Sequence, residues 1–275
     1  MKKTIMILAA VVLGTAAVFA AGTKLSGTFT FGGSTTVQPI ANVAIEQFVK
    51  ANPGVKITYE GLGSSTGLKQ LIEGTVSLAG SSRDLKQAEL DAGLTPVIIA
   101  RDALSVVVNK DIPVSNLTIE QLAGIYSGTI LNWKEVGGKD EVINVVNRDE
   151  TSGTWGSFND LVLVPKKLAY TKNAIVAKEN GEVAAKVAST PGAIGYVGLG
   201  FVEEITKAGG KALSLNGISA TVKTALDGTY PLSRNLYVAT KGAAKAGSVE
   251  KAYIDYILSA RGKIIVKEAG FVPLK

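Results

Sequence analysis

The chain has 275 residues, 46% of them hydrophobic, with a formal charge of +6, no histidine and no cysteine. The absence of both residue types excludes disulfide staples, the usual zinc ligands and every Ser-His or Cys-His nucleophile. Lysines are scattered and aromatic residues make up only 6%, so no basic, aromatic-interleaved face for nucleic acid is expected.

Met1-Lys2-Lys3 precedes an apolar run, Ile5 to Phe19, relieved only by Gly14 and Thr15 and ending at Val18-Phe19-Ala20. The run is shorter than the roughly 20 residues of a membrane span and ends in an A-x-A-like cleavage pattern. Residues 1–20 are therefore expected to be a signal peptide, with a mature chain beginning near Ala21 and destined for an oxidising, periplasmic compartment. No cysteine follows the cleavage point, so lipid attachment there is chemically impossible. The remaining length of about 255 residues suits one large domain or two lobes, and its apolar content is ample for a core.

Short β-like runs alternate with helical patterns along the rest of the chain, which predicts an α/β architecture with mainly parallel sheets. Thr28 to Phe31 alternates and stops at Gly32-Gly33. Val37, Ile40, Ala41, Ala44, Ile45 and Phe48 then fall at helical spacing over 37–49, before Asn52-Pro53-Gly54. Val55 to Tyr59 alternates again, breaks at Gly61-Leu62-Gly63, and precedes a helix carrying Leu68, Leu71 and Ile72. Leu104 to Val108 is continuously apolar, as in a strand buried on both faces or crossing between lobes. Val142 to Val146 is a further strand, followed by a helix with Trp155, Phe158, Leu161 and Val162. The glycine-rich stretch from Ile194 to Gly200, after Thr190-Pro191-Gly192, reads equally as a hinge or as a plain strand between turns.

Three strand-to-helix junctions share one chemistry. They are Gly33-Ser34-Thr35-Thr36, Gly63-Ser64-Ser65-Thr66-Gly67 and Arg148-Asp149-Glu150-Thr151-Ser152-Gly153-Thr154. Each places hydroxyls and glycine where a helix begins, its first N–H groups unpaired and its dipole positive. A single junction of this kind reads as an ordinary N-cap. Three of them at the carboxyl ends of strands, one led by an arginine, read as a cage of donors for a small anion. Arg148 would meet two oxyanion oxygens with its planar fork, held by Glu150 or Asp149. A fourth cluster, Gly80-Ser81-Ser82-Arg83-Asp84, could add donors, a second arginine and a carboxylate. Neither the phosphate loop G-x-x-x-x-G-K-[ST] nor the dinucleotide fingerprint is present, so the pattern points to a free anion and not a nucleotide.

The four motifs, Gly33 to Ile40, Gly63 to Leu68, Gly80 to Arg83 and Arg148 to Thr154, together resemble the phosphate-binding component of bacterial phosphate ABC transporters, the PstS family. Leu117-Thr118, Asn132-Trp133, Val136-Gly137-Gly138 and Tyr230-Pro231-Leu232-Ser233-Arg234 extend the likeness over about residues 25–275. The resemblance implies a two-lobed type II periplasmic-binding fold, each lobe a mostly parallel sheet flanked by helices, joined by two crossing strands. One lobe would comprise 25–103 with 202–275, and the other 104–201. It also implies that phosphate is held by Ser34, Thr35, Ser64, Ser65, Ser82, Arg148, Ser152, Gly153 and Thr154, with Glu150, Asp84 and Arg83 behind them. Implied, too, are delivery to a membrane ABC permease, a monomer, no cofactor, no metal and no catalysis.

One departure bears on the ligand. Well-known members place an aspartate where this chain has Ser82, and that carboxylate accepts the proton of hydrogen phosphate and repels sulfate. Either Asp84 substitutes or Ser82 accepts through its lone pairs. The alternatives to phosphate are sulfate, molybdate or tungstate in the same fold, an anion sensor, and an exported hydrolase using Ser34, Ser65 or Ser152. The last lacks a base, because there is no histidine and no S-x-x-K at these serines.

Overall fold

The computed structural model describes residues 24–275, so the expected signal peptide and its cleavage point lie outside the described residues. Among the described residues no helix is long and apolar enough to cross a membrane.

The strands follow in chain order as β1 (Gly27–Gly33), β2 (Val55–Gly61), β3 (Leu78–Ser81), β4 (Leu94–Asn109), β5 (Asn116–Leu117), β6 (Asn144–Arg148), β7 (Ile175–Ala177), β8 (Ala193–Gly198), β9 (Gly210–Ala212), β10 (Ser214–Leu215) and β11 (Ser233–Lys241). One curled sheet runs β2-β1-β3-β11-β4-β8-β6-β7, with β9 also on β4, and β5 pairs with β10 apart from it. β1 lies parallel to β2 and β3, and β6 lies parallel to β7 and β8. Between these two parallel blocks run the antiparallel strands β11 and β4.

β4 belongs to both blocks. Its residues 94–103 pair with β11, and Leu104 to Val108 pair with β8. The apolar run read from the sequence is thus only the second half of a longer strand. The first half escaped notice because Pro96, Arg101 and Asp102 interrupt its hydrophobicity. The chain recrosses at Leu232-Ser233, directly beside the first crossing, where the Leu104 N–H donates to the Leu232 carbonyl at 2.9 Å.

The apolar side chains sort into two cores on either side of these crossings. Phe31, Ile40, Ala44, Phe48, Leu236, Tyr253 and Phe271 form the first, with Leu68, Leu71 and Val76 in a satellite cluster. Val106, Tyr126, Trp133, Phe158 and Tyr196 lie in the second, while Val107, Val146 and Val183 pack on the opposite face of its sheet. That split reflects the two-residue alternation of β4, which sends Val107 one way and Val106 and Val108 the other.

The packing moves one expected boundary. Ile205, Leu213, Leu215, Ala225, Tyr230 and Leu232 are buried in the second core and its back face, not the first. We therefore propose lobes of 25–103 with 233–275, and of 104–232. The glycine-rich stretch 194–200 is correspondingly no hinge: Ala193 to Gly198 is a fully buried strand between β4 and β6.

The helix Gln38–Ala51 buries Ile40, Ala41, Ala44, Ile45 and Phe48, the face its periodicity predicts. The pattern over Trp155 to Val162 is not one α-helix. Gly153–Phe158 is α-helical, and Asn159–Leu163 widens to a π-turn that brings Val162 and Leu163 into the core. Phe158 stacks on Tyr196 with centroids 4.2 Å apart, which pins this short helix to β8.

In the first lobe the helix Ser64–Glu73 lies so close to β1 that a methyl group at Gly67 would overlap the Gly33 backbone. Neither partner can yield, because both atoms belong to main chain. Gly67→Ala should therefore lower the urea midpoint by an amount equivalent to ~2 kcal/mol or more, as overpacking does; an unchanged midpoint would refute this contact.

Candidate functional site

The four loops singled out in the sequence end on a common point between the lobes. At the end of β1, the Ser34 N–H donates to the Gly80 carbonyl at 2.9 Å, which ties the first loop to the end of β3. The Ser34 hydroxyl oxygen turns back to accept the N–H groups of Thr36 (3.1 Å) and Val37 (3.3 Å). Ser64, at the start of its helix, accepts the N–H of Ser82 at 3.1 Å. From the other lobe, Ser152 caps its helix by accepting from Thr154 (3.2 Å) and Trp155 (3.3 Å).

Contacts across the cleft show the lobes closed on each other. The Ser65 N–H donates to the Thr151 carbonyl at 3.0 Å. The hydroxyls of Thr36 and Thr154 meet at 3.1 Å, and Arg148 Nη2 donates to Thr35 Oγ1 at 3.1 Å. A methyl group at Gly153 would collide with Ser64 Oγ and lie 2.6 Å from Ser82 Oγ, so a larger residue there would displace the two hydroxyls. Ser34, Thr36, Ser64, Ser82, Arg148, Ser152 and Thr154 are all at most 2% exposed.

The hydrogen bonding gives this cage a definite polarity. Thr35 accepts from Arg148, Thr36 from Asn180 Nδ2 (3.2 Å), Ser65 from Arg83 Nη2 (3.1 Å) and Thr154 from Arg234 Nη1 (3.0 Å). A hydroxyl that already accepts an N–H has its own proton to give. Ser82 stands apart: its hydroxyl contacts only Ser64 Oγ, at 3.4 Å, and accepts no N–H.

Arg148 carries the charge. Its Nε donates to the Ala177 carbonyl (3.2 Å) and its Nη2 to the Lys178 carbonyl (2.6 Å), while Nη1 is buried with no partner. Burial pushes its affinity for the proton down, to a pKa of about 10, and the neighbouring Arg234 adds to that, against the opposing pull of Tyr196 and Asp149. The guanidinium remains charged at neutral pH, but holding it there costs about 3 kcal/mol at 1.36 kcal/mol for each pH unit. An anion at Nη1 would offset that cost.

Most of the expected residues meet here, and four do not. Ser65 points to Arg83 and not into the cage. Arg83 is spent in a two-pronged ion pair with Glu89, at 2.7 and 2.9 Å, which staples its loop to the helix Gln87–Asp91. Asp84 is exposed and accepts the Tyr237 hydroxyl at 2.6 Å, so it does not replace the missing carboxylate. Glu150 is exposed and pairs with nothing among the described residues; two backbone carbonyls and Thr35 orient Arg148 in its stead. Thr36, Asn180, Asp102 and Arg234 join the cage unannounced. The sequence marks Arg234 only as the end of the motif Tyr230 to Arg234, and Asp102 only as a charge within β4.

The chain matches the PBP superfamily domain over residues 19–261. It is 39% identical over 249 residues to the phosphate-binding protein PstS of Borreliella burgdorferi, with 89% of each chain covered. Over 256 residues it is 34% identical to the phosphate-binding protein PstS of Bacillus subtilis, covering 91% of this chain and 82% of that one. A solved structure from Clostridium perfringens, a phosphate ABC transporter substrate-binding protein with bound phosphate, aligns with a TM-score of 0.83 at 33% identity. That alignment covers 90% of this chain and 100% of the other.

Replacing Arg148 by methionine removes an uncompensated buried charge and three hydrogen bonds, effects of opposite sign and similar size. Arg148→Met should therefore change ligand-free stability by less than about 1 kcal/mol while abolishing the rise in melting temperature that an oxyanion gives the unaltered protein. Thermal unfolding with and without phosphate checks both halves, and a retained rise would show that the anion site lies elsewhere.

Proposed function

Because the chain belongs to the PBP superfamily and, within it, to the PstS phosphate-binding proteins, we propose that it captures inorganic phosphate between its lobes and delivers it to an ABC-type permease. The observation that carries this reading is the unpartnered Nη1 of buried Arg148, set among hydroxyls that each already accept an N–H. Such a cage offers protons and positive charge to the oxygens of a tetrahedral anion and excludes water while doing so. Glycine at position 153 lets the anion reach the backbone.

Ser82 supports phosphate over sulfate. It is the one cage hydroxyl that accepts no N–H, and hydrogen phosphate is the ligand with a proton to place there. A hydroxyl acceptor lacks the repulsive charge of a carboxylate, so this discrimination is the milder of the two. Release would follow from hinge motion at the paired crossings, 103–104 and 232–233, which opens the cleft without disturbing either core.

The family is one of solute binders, and the serines here suit binding and not hydrolysis. Ser34 and Ser152 are spent on backbone N–H groups, and the basic group beside them is a guanidinium that keeps its proton at neutral pH. Export by the sequence at 1–20 completes the reading.

Calorimetric titration of the mature, phosphate-stripped protein tests it. Tight one-to-one binding of phosphate is expected, with sulfate, molybdate and tungstate weaker. Ser82→Ala should cost phosphate roughly tenfold in affinity, the worth of one hydrogen bond to a charged group, and leave sulfate within about threefold. No binding of phosphate by the unaltered chain would overturn the function; equal losses for both anions would overturn the role of Ser82.

A further inference from the structure

A second guanidinium lies behind the cage. Arg234 on β11 faces Asp102 on β4 in direct register, both within two residues of the crossings. Its side chain is 4% exposed and that of Asp102 is fully buried. Arg234 Nε donates to Asp102 Oδ2 at 2.8 Å, and Nη2 stands 2.7 Å from the same oxygen, outside hydrogen-bonding angle. The other oxygen, Oδ1, accepts the Leu199 N–H at 2.8 Å, so the carboxylate is fixed by both lobes. Arg234 Nη1 bridges the cleft as well: it donates to the Ser82 carbonyl at 2.9 Å in the first lobe and to Thr154 Oγ1 at 3.0 Å in the second.

Stability does not account for this arrangement. A buried ion pair gains little over apolar side chains of the same volume, and this one leaves a buried Nη2 without a hydrogen bond. Its positive charge is also felt at Arg148, where it adds to burial in lowering that guanidinium's hold on its proton.

We propose that Arg234, clamped by Asp102, is a second cationic arm of the anion site, a positioning residue that acts through Thr154. Nη1 occupies one lone pair of Thr154 Oγ1; Thr36, which accepts from Asn180, donates its proton to the other across their 3.1 Å contact, so that the Thr154 proton is turned towards the ligand. The guanidinium adds positive potential to the same point, and its hold on Ser82 and Thr154 together registers the two lobes when they are closed. Asp102 sets the direction of the fork and keeps Arg234 from becoming a second unpaired buried charge. This inference rests on the phosphate-binding reading above.

The test uses the mature chain, phosphate calorimetry and ligand-free thermal unfolding. The double variant Arg234→Gln/Asp102→Asn keeps shape and removes both charges. It should bind phosphate about thirtyfold more weakly, with a ligand-free melting temperature close to the parent's. Thr154→Val should cost a similar factor, and adding it to the double variant should cost little more, because both act through one hydroxyl. Where the double variant does not fold, Arg234→Lys serves: it keeps the pairing with Asp102, loses the fork, and should weaken phosphate about tenfold. Phosphate affinity within about threefold of the parent in these variants, or losses that add in full, would overturn the proposal. A parent chain that binds no phosphate would instead overturn the function on which it rests.

Discussion

A single positive charge, buried without a counter-charge, organises this molecule. Arg148 is nearly inaccessible, held by two carbonyls and a threonine, and one of its terminal nitrogens has no partner. A chain tolerates such a cost when a ligand relieves it, and each neighbouring feature serves that exchange. The loops carry small hydroxyl residues so that donors can crowd the guanidinium, and glycine at 153 leaves room where Ser64 and Ser82 converge. Both lobes contribute to the cage, Thr35 from one and Arg148 from the other meeting across the cleft.

How those lobes are joined follows from the sheet. Two parallel blocks of strands, each with its own core, share the antiparallel strands β4 and β11. Their crossings are adjacent and hydrogen-bonded to each other, so a hinge motion of the lobes would turn about one line and not two. Arg234 and Asp102 sit beside that line and reach into both halves. The crossings between the lobes and the buried charges are thus within one cluster of side chains.

The sequence disclosed what depends on local chemistry. Alternation and helical spacing located β1, β2 and the helix Gln38–Ala51 with its buried face. Glycine and hydroxyl residues after strands marked the loops, since a capping residue and an anion donor are chosen for the same reason. What stayed hidden depends on direction and distance. Nothing in Arg-Asp-Glu-Thr-Ser tells Glu150 to face solvent, and nothing in Ser-Ser-Arg-Asp tells Asp84 to reach Tyr237. The lobe boundary proposed here was not legible because residues 202–232 are short elements with weak periodicity, placed only by the core they pack into. Arg234 and Asp102 meet across two strands far apart in sequence, and the motif that ends in Arg234 said nothing of its partner.

The N–H groups that the cage hydroxyls accept also have a consequence for entropy. A serine or threonine hydroxyl in water spins freely and must be stilled when it grips a ligand. Here the N–H groups of Thr36, Val37, Ser82, Thr154 and Trp155, with the side chains of Asn180, Arg148 and Arg234, have already chosen an orientation for these rotors. The closed cage is therefore set before the ion is held, and little freedom remains for the ion to remove.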